Sequence, residues 1–131
     1  MKVMALDFGS ARTGVAVSDP TGLIARPLCV VQRAASDDGL AELERLVSDE
    51  EVETVVVGHP LTLRGDRGEQ ARASERFAQS LRDRLEVPVV LFDERFTTDL
   101  AQQSPAAAAE DARAAAHLLS SYLAWSSAAP A

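Results

Sequence analysis

Two rhythms of apolar residues divide this chain. Val3 to Leu6 form a continuous apolar run that ends in one carboxylate, Asp7, and a glycine-containing turn, Phe8 to Arg12, leads into a second run from Thr13 to Asp19. Continuous runs of this length read as strands buried on both faces, so Asp7 stands where a strand leaves its sheet. Asp19, Pro20, Thr21 and Gly22 signal another turn, and Leu23 to Gln32 reads as a third strand in which Pro27 marks a bulge or an edge position. Then the spacing changes. Leu40, Leu43, Leu46 and Val47 repeat at helical intervals behind candidate caps at Ser36 and Asp37, so 38–47 is predicted as an amphipathic helix. Thr54 to Val57 is a short buried strand opening into the loop 61–68 through Gly58 and Pro60. Phe77, Ala78, Leu81 and Leu85 share one stripe of a helix over 69–85. Val87 to Phe92 gives a fifth strand ending at Asp93, Glu94 and Arg95, Thr97 caps a short helix to about Gln103, and Ser104 with Pro105 opens a last helix to about Trp125.

Three strands joined by short turns, then two strands that each follow a helix, predict an α/β fold with a five-stranded mixed sheet flanked by helices. That is the element order of ribonuclease H-like folds, with strand order 3-2-1-4-5; a flavodoxin-like fold would alternate strand and helix from the start. With 131 residues, one domain over 1–125 is expected, with a frayed, disordered tail over 126–131.

Composition adds three constraints. The single cysteine, Cys29, lies in an apolar run and packs as a small hydrophobe. No apolar run approaches the roughly 18 to 20 residues that cross a bilayer, and no charged leader precedes a hydrophobic segment, so a soluble cytoplasmic protein without a membrane partner is expected. The net charge of -7 opposes a nucleic-acid partner, but its distribution softens the objection. Asp37 to Glu53 holds eight acids and one base, whereas Arg64 to Arg84 holds six arginines and four acids. For most of these residues a solvated helix face is the expectation.

Three places carry carboxylates in unusual settings: Asp7, the pair Asp93 and Glu94, and Asp111. Read from Asp111, positions 115, 118, 119, 122 and 123 are Ala, Leu, Leu, Tyr and Leu, so Asp111 lies on the buried stripe of the last helix. A carboxylate there needs a basic partner or a metal. A cluster of carboxylates suits hard cations such as Mg2+ or Mn2+, which prefer oxygen ligands and promote phosphodiester hydrolysis. No HExxH, paired-cysteine, GxxxxGK[ST] or GxGxxG pattern occurs.

LDFGSARTGVAVSD, IARPL from Ile24, VVVGHPLTLRG from Val55, DERFTT from Asp93 and DARAAAHLLSSYL from Asp111 resemble, in order and spacing, the motifs of the YqgF or RuvX family. That family is described both as Holliday junction resolvases and as pre-16S ribosomal RNA nucleases of ribonuclease H-like fold. The resemblance implies that Asp7, Glu94 and Asp111 are the catalytic acids and the ligands of Mg2+ or Mn2+. It implies substrate contacts at Arg12, Arg64, Arg95, Thr97 and Thr98, although structural pairing of Arg12 and Arg95 with Asp7 or Asp93 is equally open. Gly14, Gly58 and Gly65 match family positions and are read as turn and packing residues; Ser10 and Thr13 are read as satisfying the turn. His59 flanks the expected active edge, and His117 falls away from the face of Asp111.

Two departures stand out. The segment LAQQSPAAAAE before the last helix is short and lacks a base, where the family carries a longer basic stretch. The strand beside the first ends at Gly58 to Pro60, without an acid, so Glu94 has to reach inward from one strand further out. The expected function is a Mg2+- or Mn2+-dependent endonuclease on structured nucleic acid, resolving Holliday junctions as a homodimer with two active sites. The alternative substrate is the 5′ end of pre-16S ribosomal RNA. A non-catalytic nucleic-acid-binding module is the reading of another class. DFGSARTG also resembles the phosphate-gripping turn of actin-like and sugar-kinase ATPases, but those need two lobes and this length supplies one.

Overall fold

The structure is a computed structural model, and it describes residues 1–96 and 107–128. Five strands, β1 (Val3–Asp7), β2 (Arg12–Ser18), β3 (Ala25–Gln32), β4 (Thr54–His59) and β5 (Val89–Asp93), form one sheet in the order β3-β2-β1-β4-β5. β1 pairs antiparallel with β2 and parallel with β4; β2–β3 is antiparallel and β4–β5 parallel. This is the predicted mixed sheet. Helices α1 (Asp37–Asp49) and α2 (Glu69–Arg84) cover one face, and α3 (Ala107–Ala128) covers the other.

Strand alternation divides the core accordingly. Met4, Leu6, Val15, Val17, Val55 and Val57 turn toward α1 and α2, meeting Leu40, Leu43, Phe77 and Leu81. Val3, Ala5, Ala16, Val56 and Phe92 turn toward α3, meeting Ala115, Leu118, Leu119 and Leu123. The two predicted helical stripes and the stripe of the last helix are therefore the buried faces. Asp7 shares the side of Val3 and Ala5, and the Glu94 side chain lies over Gly58 on the side of Val56, so both carboxylates belong to the α3 face.

The edge position predicted for Pro27 is observed, with a register shift opposite Val15 and Ala16. Ser36 caps α1, its hydroxyl accepting from the Gly39 N–H at 3.1 Å. Cys29 packs against the core, and burial raises its thiol pKa. Several boundaries differ. β3 begins at Ala25 rather than Leu23, because Asp19 draws the Leu23 and Ile24 N–H groups onto its carboxylate, both at 2.8 Å, and closes a turn there. β4 runs on to His59, α2 ends at Arg84, and α3 continues to Ala128 rather than ending at Trp125. The short helix placed after Thr97 and the Ser104–Pro105 cap lie outside the described residues. Among the described residues no helix is long and apolar enough to cross a membrane.

Candidate active site

Asp7 ends β1 between two glycines. Gly14 of β2 is its partner in the antiparallel register, and Gly58 of β4 follows Val57, the partner of Leu6. Each glycine admits one of the other two acids. A methyl group on Gly14 would collide with the backbone carbonyl of Asp111, so the missing side chain lets α3 descend onto β2 at the level of Asp7. A methyl group on Gly58 would lie 2.6 Å from Oε1 and 2.8 Å from Cδ of Glu94. Glu94 thus folds back across the bare backbone of β4 and reaches Asp7 from beyond β5. The apparent difficulty of its outlying strand is removed by Gly58, the one β4 residue that has no side chain. From the sequence both glycines read as turn and packing residues; Gly14, inside an apolar run, and Gly58, at the end of one, carry no further local signal.

Gly14→Ala therefore tests the α3 contact. The added carbon meets backbone, which cannot rotate away, so a loss of at least about 3 kcal/mol is expected. A calorimetric melt should show Tm falling by on the order of 10 °C; an unchanged Tm would refute the contact.

The side chains of Asp7 and Glu94 are hydrogen-bonded to each other. Burial is the main cause raising the pKa of Asp7, with the nearby Asp111 charge adding to it and the Glu94 hydrogen bond opposing it. Glu94 is raised to about 7, first by burial and then by the charge of Asp7 and their hydrogen bond. Two carboxyls this close share a proton at neutral pH unless a cation replaces it. Asp111 lies by Arg12, with Oδ2 3.2 Å from Nε, but the approach is misaligned and this buried oxygen has no hydrogen bond.

Arg12 thus balances charge at the site, and its partner is Asp111 rather than Asp7 or Asp93. Arg95 is committed elsewhere: Nε and Nη2 donate to Asp93 at 2.8 and 2.5 Å, and Nη1 donates to the Leu63 carbonyl at 3.4 Å while lying over Gly65. It ties the turn that carries Glu94, a 3-10 segment over Glu94–Phe96, to the 61–68 loop. His59 Nε2 stands 2.7 Å from Glu75 Oε2, and Arg67 donates to the same carboxylate. These two partners, Arg67 first, lower the pKa of Glu75 to about 2. Thr13 is buried and bonds the Gly9 backbone, as a turn residue. Arg64 is exposed on the loop; Thr97 and Thr98 lie outside the described residues. His117 is half-buried on α3.

The donor set suits a hard divalent cation. Asp7 and Glu94 offer adjacent carboxyl oxygens whose pKa values are raised by burial and by neighbouring acids, a rise that a cation would offset, and Asp111 has an orphaned buried oxygen. The fit is incomplete as the side chains stand: among the described residues no three His, Cys, Asp or Glu side chains converge on one ion.

Comparison with known proteins agrees with this architecture. The model of the RuvX family, described as Holliday junction resolvase, matches residues 1–125. A relative from Chloroflexus aurantiacus, named "Putative pre-16S rRNA nuclease", is 46% identical over 101 residues, 77% of this chain and 66% of the relative. One of the same name from Geobacillus kaustophilus is 40% identical over 134 residues, 94% of this chain and 97% of the relative. That aligned length exceeds the chain, so the relative carries residues without counterparts here. Thermus thermophilus RuvC bound to a Holliday junction substrate superimposes with a TM-score of 0.61 at 16% identity, covering 98% of this chain and 96% of the other; at that identity the likeness concerns the fold. The chain belongs to the RuvX (YqgF) family, whose described members are nucleases, on a ribonuclease H-like fold.

Proposed function

We propose that the protein is an endonuclease dependent on Mg2+ or Mn2+ that cleaves precursor 16S ribosomal RNA near its 5′ end. The observation that carries the chemistry is the hydrogen-bonded pair Asp7 and Glu94, with Asp111 brought alongside by Gly14. Relatives of 40 to 46% identity bear the ribosomal RNA name, whereas the junction-resolving reading rests on the family description and a likeness in fold. For this reason precursor RNA replaces the Holliday junction as the leading substrate.

Asp7 and Glu94 would hold the cation directly, and Asp111 would join them by turning its orphaned oxygen from Arg12. A bound divalent ion polarises the scissile phosphate and lowers the pKa of the attacking water. The protein's own share is to keep the carboxylates close and half-buried, and to keep Glu94 oriented through the Arg95 tie. Arg12, released from Asp111, and exposed Arg64 would then face phosphate. Cutting one strand near an end requires one active site, so this reading does not demand a dimer; symmetric junction cutting would. An RNA precursor also implies a cytoplasmic location.

The test is direct competition between substrates. With Mg2+ or Mn2+ at one stated salt concentration, the protein should shorten a pre-16S 5′ leader and cut a synthetic four-way junction at least tenfold more slowly. Cleavage of the junction with the RNA left intact would reverse the assignment.

The paired carboxyls also predict how stability responds to pH. The folded protein retains a proton at pH values where unfolded carboxylates have released theirs. Metal-free stability therefore falls as pH rises from the ordinary carboxylate range through about 7. A divalent cation replaces that proton. Thermal melts should show a larger Mg2+- or Mn2+-induced rise in Tm at pH 8 than at pH 5; an equal rise at both would contradict the shared-proton pair.

A further inference from the structure

Phe92, Tyr122 and Trp125 form an aromatic group on the α3 face of the sheet, the face that carries the three acids. Phe92 is buried at the end of β5 and pairs in register with Gly58, the residue over which Glu94 folds. Its ring meets Tyr122 edge-on, with centroids 5.5 Å apart at 88°, and Trp125 at 5.6 Å and 54°; Tyr122 and Trp125 are 6.0 Å apart. Trp125 is nevertheless 53% exposed. One buried ring thus separates the strand position under Glu94 from an indole that is backed by two rings and open to water on its other side. Such a side chain is oriented at little further entropic cost, which is what a stacking surface requires.

Charge selects the occupant. Five of the 20 acids, Asp37, Asp38, Glu42, Glu44 and Asp49, lie on α1, which covers the opposite face of the sheet, and Glu50 and Glu53 are bonded to Lys2 just before β1. From Ala112 onward the chain has no acidic residue and one arginine, Arg113. A polyanion repelled by the chain's overall charge meets no acid along α3 beyond Asp111.

We propose that Trp125 is a stacking platform for an unpaired base of the nucleic-acid strand that crosses the carboxylates, at a position removed from the cleaved bond by the fourteen α3 positions that lead from Asp111 to Trp125, about 21 Å along the helix. The inference rests on the nuclease reading and narrows its substrate to one that is single-stranded on that side. Aromatic stacking tolerates any base, so Trp125 selects for strandedness and leaves sequence unread.

Trp125 is the chain's one tryptophan, and its fluorescence reports on the contact directly. The Asp7→Asn protein should be titrated with a single-stranded RNA and with a blunt duplex of equal length, while anisotropy of an end label follows binding independently. Expected is quenching that saturates together with single-strand binding. Trp125→Ala should weaken that binding roughly 5-fold or more, Trp125→Phe should recover most of it, and both should leave duplex binding unchanged. Saturated binding without a fluorescence change, or undiminished binding by Trp125→Ala, overturns the proposal. So does a fluorescence change that follows protein concentration alone, which would assign the indole to a second copy of the chain. The nuclease reading fails separately, if wild type cleaves neither RNA nor junction with either metal.

Discussion

Replacing Asp7 by Asn is expected to lower kcat/KM for metal-dependent cleavage by at least about 100-fold while leaving Tm unchanged or higher. The two halves of this result come from one environment. Asp7 is a half-buried carboxyl whose charged form is disfavoured by burial and by the charge of Asp111. Asn has the same shape, carries no charge to desolvate, and its amide can donate to the Glu94 carboxylate, so the fold loses nothing. A cation loses a direct oxygen ligand, and since even the groups behind metal ligands are worth 10- to 100-fold, the loss should exceed that range. Paired melts and steady-state cleavage, with the same protein preparations, decide it. Activity within a few-fold of wild type would remove Asp7 from the mechanism, and a large fall in Tm would show that its role is structural.

Asp19 shows why such a residue is hard to recognise from sequence. Both aspartates close an apolar run and precede a turn. Asp19 accepts from Thr21, Leu23 and Ile24, and those bonds push its pKa down; Asp7 faces another carboxyl, and its pKa rises. The difference depends on Glu94 and Asp111, which are distant along the chain, and local pattern contains neither. What the pattern does carry is burial. Short continuous apolar runs placed the strands, because a sheet covered on both faces buries both sides of its central strands, and the stripe from Asp111 to Leu123 placed α3, because burial on one face imposes helical spacing. Boundaries moved where a local hydrogen bond competed, as at Asp19 before β3.

Side-chain partners were legible only in part. Pairing of Arg95 with Asp93, two residues apart, was among the alternatives read from the sequence, but pairing of Arg12 with Asp111 requires knowing that Gly14 lets α3 descend onto β2. The charge reading fared better. Arg76 pairs with Glu69 on the solvated face of α2, Arg67 reaches Glu75 from the loop before it, and Arg84 reaches across to Glu44 of α1. Exposed pairs of this kind contribute little to stability, so the arginine-rich stretch is chiefly a surface.

Gly58→Ala should separate assembly of the site from assembly of the fold. The methyl group would stand 2.6 Å from Oε1, 2.8 Å from Cδ and 3.1 Å from Cγ of Glu94. All three atoms belong to a flexible side chain, which can swing aside, whereas the obstacle at Gly14 is backbone. Glycine inside a strand is itself weakening, by roughly 0.5 to 1 kcal/mol relative to alanine, so Tm should hold within a few degrees. Glu94, displaced from Asp7, can no longer share a proton or a cation with it, and a misplacement of this order costs about 100-fold in rate. Glu94, swung out, would lose the burial and the Asp7 charge that raise its pKa, so the decline of metal-free stability between the ordinary carboxylate range and pH 7 should become shallower in this variant. Measured together, cleavage rate and Tm against pH give opposite signatures for the two glycines: Gly14→Ala loses stability first, and Gly58→Ala loses activity with the fold intact. Full activity in Gly58→Ala would mean that Glu94 works from a position off β4, and the route by which the third acid reaches Asp7 would have to be redrawn.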